Sequence, residues 1–454
     1  MRVTSIQTSS GVGLTIADPL HRYHRRLEDV ARQMESAAVA TRAGFEPAFA
    51  VPDPEDSLWS EFFGATPLRY LRLPSYRGHR FDLLDLMGTP GTRTTKSLAS
   101  NTIMARAILH ARSSGRPLTI VTPTSGNKGT ALRDALARAQ ALALPGSELV
   151  HVVMIVPSAS AGKLRLCSAD EDASFTRNNP VAVAEVSSGA ELKEMVFKVT
   201  EQLDRRDVDH WYTLALDNYR LADTMRAFVE YDAIAAGVAP AEGARLHAHA
   251  VSSAYGLLGY ELGREALRAD SAPLPEGGYF LVQHLGAPDM VLHQRTRQDG
   301  PPRYTRTEPD GPFVQHSDPD FPFETDDPEE VLDATFYTRN PPTAPAMTEL
   351  IRGRFGGGIV VSRRECVARF AEVREFLGEL DLMPQGTAEL REWSLLMLLT
   401  GVFNAIDRGL VRTPHIVLHA SGSYWDAAVP PLPAERCVQI DGPAALLDLI
   451  ETAS

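Results

Sequence analysis

Residues 118–132 read LTIVTPTSGNKGTAL, and this stretch decides the fold. An apolar, β-branched run meets a proline, then short polar residues and two glycines. It opens into GTALRDALARAQALAL (129–144), whose apolar residues recur at helical spacing. A strand that turns at once into a helix is half of a parallel α/β unit. Outward from it the alternation repeats. FDLLDLM (81–87) precedes SLASNTIMARAILHA (97–111), and LHAHAVSS (246–253) precedes LLGYELGREALRA (257–269). LVHVVMIVP (149–157) is a continuous apolar run, as in a strand covered on both faces. HIVLHAS (415–421) follows a helical pattern over 387–408. This order predicts parallel sheet with right-handed crossovers. Two stretches stand outside it: an expected helix at 20–40, and residues 286–330. The latter are rich in Pro, Asp and Gly and read as an irregular excursion or lid.

The chain has 454 residues, enough for two or three domains. Its 44% apolar and 23% charged residues are ordinary globular usage, which excludes a disordered, collagen-like or coiled-coil chain. A net charge of −13 argues against nucleic acid or an anionic membrane as partner. Cys167, Cys366 and Cys437 form no CxxC pair, and the histidines have no HExxH company, so no metal site is expected. With no apolar signal segment and no run of eighteen apolar residues, a soluble cytoplasmic protein is expected. The basic residues are almost all Arg. The five lysines are Lys96, Lys128, Lys163, Lys193 and Lys198, so amine chemistry has five candidates.

Four strand-to-helix or strand-end turns carry candidate chemistry. In GTPGTRTTKSLASNTIMARAI (88–108), Lys96 falls at a helix N-terminus, where the helix dipole favours a neutral amine suited to a Schiff base with a carbonyl cofactor. A phosphate-binding P-loop is the competing reading, but Thr95 stands where that motif has Gly, and Gly91 is one residue too close. In TPTSGNKGTAL (122–132), backbone amides with Thr124, Ser125 and Asn127 offer an anion site around Gly126. VSSAYGLLGYELG (251–263) offers Ser252, Ser253 and Gly256 to a phosphate. LHASGSYW (418–425) puts Ser421 at a strand C-terminus, where open α/β sheets bind ligands. Each turn also reads as ordinary capping, and His419 reads as packing.

Taken in order, Thr66-Pro67-Leu68, Lys96, Thr124-Ser125-Gly126-Asn127, Ser252–Gly256 and Ser421-Gly422 resemble the fold-type II pyridoxal-phosphate enzymes, the tryptophan synthase β-like superfamily. Within it the chain is most similar to the threonine synthase and cysteate synthase branch. YRLADTMRAFVEYDAI (219–234) resembles that family's helix before the phosphate strand, with Arg220, Thr224 and Glu230 in place. The resemblance runs from about residue 60 to 425.

It implies an α/β fold of two interleaved three-layer αβα domains with mostly parallel sheets and the active site in the cleft between them. A small mobile domain would span 95–215; 1–94 and 216–454 would form the large one. It implies pyridoxal 5′-phosphate as cofactor. Lys96 would carry the cofactor and shuttle the α-proton. Asn127 would bond the ring oxygen, and Thr124, Ser125 and Gly126 the substrate carboxylate. Ser252, Ser253, Ala254, Tyr255 and Gly256 would hold the phosphate, and Ser421 would face the ring nitrogen. The implied activity is β- or γ-replacement or elimination on a small-molecule amino acid, in a homodimer. A dehydratase or deaminase-type lyase, and a non-catalytic ligand-binding relative, are the alternatives.

The sequence departs from the family where Ser97-Leu98 follow the lysine in place of Asp-Arg, and where Ser252–Tyr255 fill a normally Gly-rich loop. Lys128 follows the TSGN motif and reads either as a solvated helix lysine or as a second cation for an extra anionic group on the substrate. Such a group suggests O-phosphoserine or O-phosphohomoserine, and a divergent enzyme of specialised metabolism.

Overall fold

The computed structural model describes residues 3–8, 11–37, 45–89, 91–186, 189–204, 209–213, 217–295, 300–306, 308–333 and 338–453. The chain divides into two units, each assembled from separated stretches. The first comprises Met1–Ile16, Leu68–Met87 and Asp223–Trp425; the second comprises Ala17–Pro67, Gly88–Ala222 and Asp426–Ser454. The second unit therefore holds the 95–215 stretch together with an N-terminal and a C-terminal piece. The expected boundary at 215 lies outside the described residues.

The first unit is built on an eight-stranded sheet. Its order is Val3–Thr8, Gly11–Ile16, Leu68–Tyr76, His79–Asp85, His415–His419, Arg245–Ala250, Gly277–His284 and Gly356–Val361. The last five strands run parallel and the first four antiparallel. The parallel strands Arg245–Ala250 and Gly277–His284 are buried throughout, as crossovers on a sheet's faces require. Leu68–Tyr76 instead keeps Arg69 and Arg72 half-buried. The helix Ser394–Asp407 (SLLMLLTGVFNAID) is buried from Ser394 to Ile406, as a helix apolar on every side must be. It lies in one core with Leu246, Val282, Ile359 and Ile416. Each such side chain contributes about 1.5–3 kcal/mol by burial.

The second unit has a five-stranded, wholly parallel sheet. Its order is Cys437–Ile440, Val181–Ala184, Val150–Pro157, Leu118–Pro123 and His210–Tyr212. The helices Lys96–Ser114 and Asn127–Ala141 pack on one another, as do Gly189–Asp204 and Pro443–Ala453. Both sheets with their helices give the expected α/β class.

Residues 286–330 are more ordered than an irregular excursion, although 296–299 and 307 lie outside the described residues. Thr305–Arg306, Phe313–Val314 and Glu324–Thr325 form a small antiparallel sheet. The Gln315 amide donates to the carbonyls of Asp318, Phe321 and Pro322, and Phe321 is fully buried with Leu285, Val291 and Val360. Arg295 clasps Asp318 through two bonds of 2.7 and 3.0 Å. The segment is thus a packed appendage of the first unit. Among the described residues, no helix is long and apolar enough to cross a membrane.

Candidate functional site

In the second unit, the strand Leu118–Pro123 ends in Thr124, whose N–H donates to Ile155 O at 2.9 Å and whose Oγ1 accepts from Gly126 N at 3.1 Å. Gly126 then adopts φ +121°, a conformation that side chains rarely take, and the chain enters the helix Asn127–Ala141. This glycine sets Asn127 at the first helical position and Lys128 at the second. Lys96 opens the helix Lys96–Ser114, half-buried, after a turn in which Ser97 Oγ donates to Thr94 O. The two helices are tied by Arg138, which donates to Asn101 Oδ1 at 2.7 Å, while Asn101 Nδ2 donates to Thr66 Oγ1 at 3.0 Å. Thr66 therefore anchors the lysine helix.

Lys96 and Lys128 come together around one ring. Their Nζ atoms lie 5.1 and 5.8 Å from the centroid of Tyr219. Cation–π attraction favours a charged amine there. Lys128 is half-buried as a whole, but its ammonium donates to the Thr213 carbonyl, withdrawn from water. That desolvation, aided by the charges of Lys193 and Lys96, pulls its pKa down to about 7. It is therefore an amine that titrates near neutral pH, not the solvated lysine that is one of its two sequence readings.

In the first unit, the strand Arg245–Ala250 ends in Ser252-Ser253-Ala254, with Ala254 in the left-handed region at φ +53° before the helix Tyr255–Ala269. Ser252 Oγ donates to Thr338 Oγ1 at 3.0 Å, and Ser253 O accepts from Thr343 Oγ1 at 2.6 Å. The loop is braced by a segment that carries no sequence signal. Gly256 is pressed close: a Cβ there would stand 2.8 Å from His249 Cε1. On the neighbouring strand His415–His419, His419 pairs with His249. Ser421 follows two residues beyond, 4% exposed, and its Oγ has no hydrogen-bond partner among the described residues.

Beneath this turn runs a buried polar chain that sequence reading missed. Arg245 Nη1 and the Tyr260 hydroxyl both donate to Glu230, each at 2.5 Å. The Tyr260 hydroxyl lies 3.0 Å from His247 Nε2, and His247 Nδ1 lies 3.1 Å from His419 Nε2. His419 Nδ1 in turn lies 3.5 Å from Arg226 Nη1. Burial first, then neighbouring cations, holds the pKa of His247 well below its ordinary value; burial, His247 and Arg226 do the same for His419. Both rings are neutral, and His419 is core, as its sequence position suggested. The signal that could have found this chain was the alternation of His247 and His249 on a strand with Glu230 upstream.

The family described as "Family of unknown function (DUF6002)" matches residues 15–454. No curated protein matches the chain. Among solved structures, the chain is similar to threonine synthase from yeast, with 11% identity and a TM-score of 0.52, covering 100% of this chain and 91% of that one. It is also similar to the PLP-bound threonine synthase from Brucella melitensis, with 13% identity and a TM-score of 0.50, covering 88% of this chain and 84% of that one. The fold is that of the fold-type II enzymes.

Proposed function

We propose a function for a chain that belongs to DUF6002, a family of unknown function: it binds pyridoxal 5′-phosphate and carries out elimination or replacement at Cβ or Cγ of an amino acid. The observation that carries this reading is Ser421, a buried hydroxyl without a partner among the described residues, just beyond the end of a parallel strand. A buried polar group left unanswered costs about 1–3 kcal/mol. A hydroxyl there suits the nitrogen of an unprotonated ring, to which it donates. Other residues offer groups of the kind such a cofactor needs: a primary amine opening one helix, an Asn opening another, and a tight strand-to-helix turn suited to a phosphate.

When bound, the cofactor supplies the electron sink that makes the Cα proton of an amino acid acidic. Lys96 is the amine that would hold it and would move the proton at the substrate's Cα. Thr124, Ser125 and the N–H groups at the start of the helix Asn127–Ala141 bind the substrate carboxylate and orient the Cα–H bond. The Asn127 amide donates to the ring oxygen. Ser252, Ser253, Ala254, Tyr255 and Gly256 hold the phosphate. Lys128, when protonated, answers a second anionic group on the substrate, such as a phosphate ester. The likeness to threonine synthase folds supports the class of chemistry.

Borohydride reduction of the protein with pyridoxal phosphate, followed by peptide mapping, tests the reading. Five lysines keep the outcome simple. One adduct on Lys96 is expected. No adduct, or labelling spread over Lys163, Lys193 and Lys198, overturns it. Product analysis on O-phosphorylated amino acids, with and without an added nucleophile, then separates replacement from elimination.

A further inference from the structure

The first turn of the helix Tyr255–Ala269 has a charged neighbour that its own sequence does not announce. A Cβ on Gly256 would stand 3.3 Å from Arg226 Nη2, so the guanidinium lies against that turn. Arg226 is only 2% exposed. Its Nε donates to Asp223 Oδ1 at 2.6 Å, and its Nη1 lies against neutral His419. Nη2 has no hydrogen-bond partner among the described residues. The nearest other carboxylate along this polar chain, Glu230, is engaged by Arg245 and Tyr260. A guanidinium paired on one side with Asp223 thus lies, through Nη2, against the first turn of a helix, whose positive end disfavours a neighbouring cation. An anion at the turn relieves that repulsion, since a guanidinium and helix N–H groups are the two standard donors to phosphate.

We propose that Arg226 is a phosphate ligand, binding a phosphate monoester at the first turn of the helix Tyr255–Ala269 through Nη2. The assignment rests on the cofactor reading above, with the phosphate being that of pyridoxal phosphate. It explains how a loop reading Ser-Ser-Ala-Tyr, with one glycine behind it, holds a dianion: charge from Arg226 supplements the N–H groups. Asp223 keeps the guanidinium oriented.

The test compares pyridoxal phosphate with pyridoxal, which lacks the phosphate, on the native protein, Arg226→Met and Arg226→Lys. Absorbance of the bound ring gives affinity, and the ³¹P resonance reports the phosphate environment. The native protein should prefer pyridoxal phosphate. Arg226→Met should bind it about ten- to a hundredfold more weakly. It should also shift the ³¹P signal and leave pyridoxal affinity within about twofold. Arg226→Lys, which keeps a charge beside Asp223 but loses the fork, should fall in between. If Arg226→Met does not fold, Arg226→Lys carries the same comparison. Unchanged affinity and ³¹P shift in the variant overturn the proposal.

Inorganic phosphate separates its failure from that of the cofactor reading. Suppose the native protein takes no pyridoxal phosphate, yet phosphate raises its melting temperature and Arg226→Met abolishes the rise. The cofactor reading then falls, and the phosphate site stands for another phosphorylated ligand. If phosphate does nothing either, both fall.

Discussion

Lys128 shows how one residue's surroundings decide its chemistry. On the sequence it is a cation after a TSGN motif; in the fold its ammonium leaves water and meets the Thr213 carbonyl. With its pKa lowered to about 7, it is largely neutral in the folded chain above that pH. The unfolded chain keeps the proton to about pH 10.4. Between those limits the unfolded state binds more protons, so Lys128 makes stability rise with pH. Urea midpoints of the native protein and Lys128→Met should therefore diverge in favour of the native chain from pH 7 to pH 9. An unchanged gap would show that the amine is not withdrawn from water. Lys96 differs in kind. Its candidacy was legible because a lysine after a Gly/Thr turn at a helix start is an uncommon combination, and lysines are scarce here.

At the scale of elements, the strand–turn–helix units were the most legible part of the fold. An apolar run fully covered by helices has one reading, and Gly126 fixes where the turn falls. Leu68–Tyr76 was missed because half-buried arginines interrupt its apolar residues. The polar chain beneath the Ser252–Gly256 turn was missed for another reason: it joins the helix Asp217–Ala235, two strands and the helix Tyr255–Ala269 through residues up to 193 positions apart. No local pattern encodes such a pairing. Glu230 is its hinge, 1% exposed and bonded to fully buried Arg245. Replacing it with Leu leaves that guanidinium uncompensated, a loss of about 3–5 kcal/mol. The double variant Glu230→Leu with Arg245→Met should recover most of the loss in a urea titration. If the two losses simply add, the pair is not coupled.

At the scale of the whole molecule, the same buried histidines set a response to acid. His247 and His419 stay neutral in the folded chain well below the pH near 6.5 at which unfolded histidines take a proton. Below that pH the unfolded state binds more protons, and stability falls as pH falls, by about 1.4 kcal/mol per histidine per pH unit. His419→Gln should flatten the dependence of stability between pH 6.5 and 5.5, read from urea midpoints, by about 1 kcal/mol, since the unfolded histidine goes from half to about nine-tenths protonated there. An unaltered slope would contradict the assignment. The α/β class of both units was legible, because each covered strand announces itself. Their composition from separated stretches was not, since nothing local marks Cys437–Ile440 as the edge strand beside Val181–Ala184. That strand and the helix Pro443–Ala453 emerge from the ribosome after every other strand of the sheet. Yet Ile440, Leu446 and Ile450 share a core with Val121, Val153 and Val196. At about 5–20 residues per second, the nascent sheet waits roughly 10–50 s with an apolar edge uncovered. A nonsense codon just before residue 437 would remove the closing piece of that core.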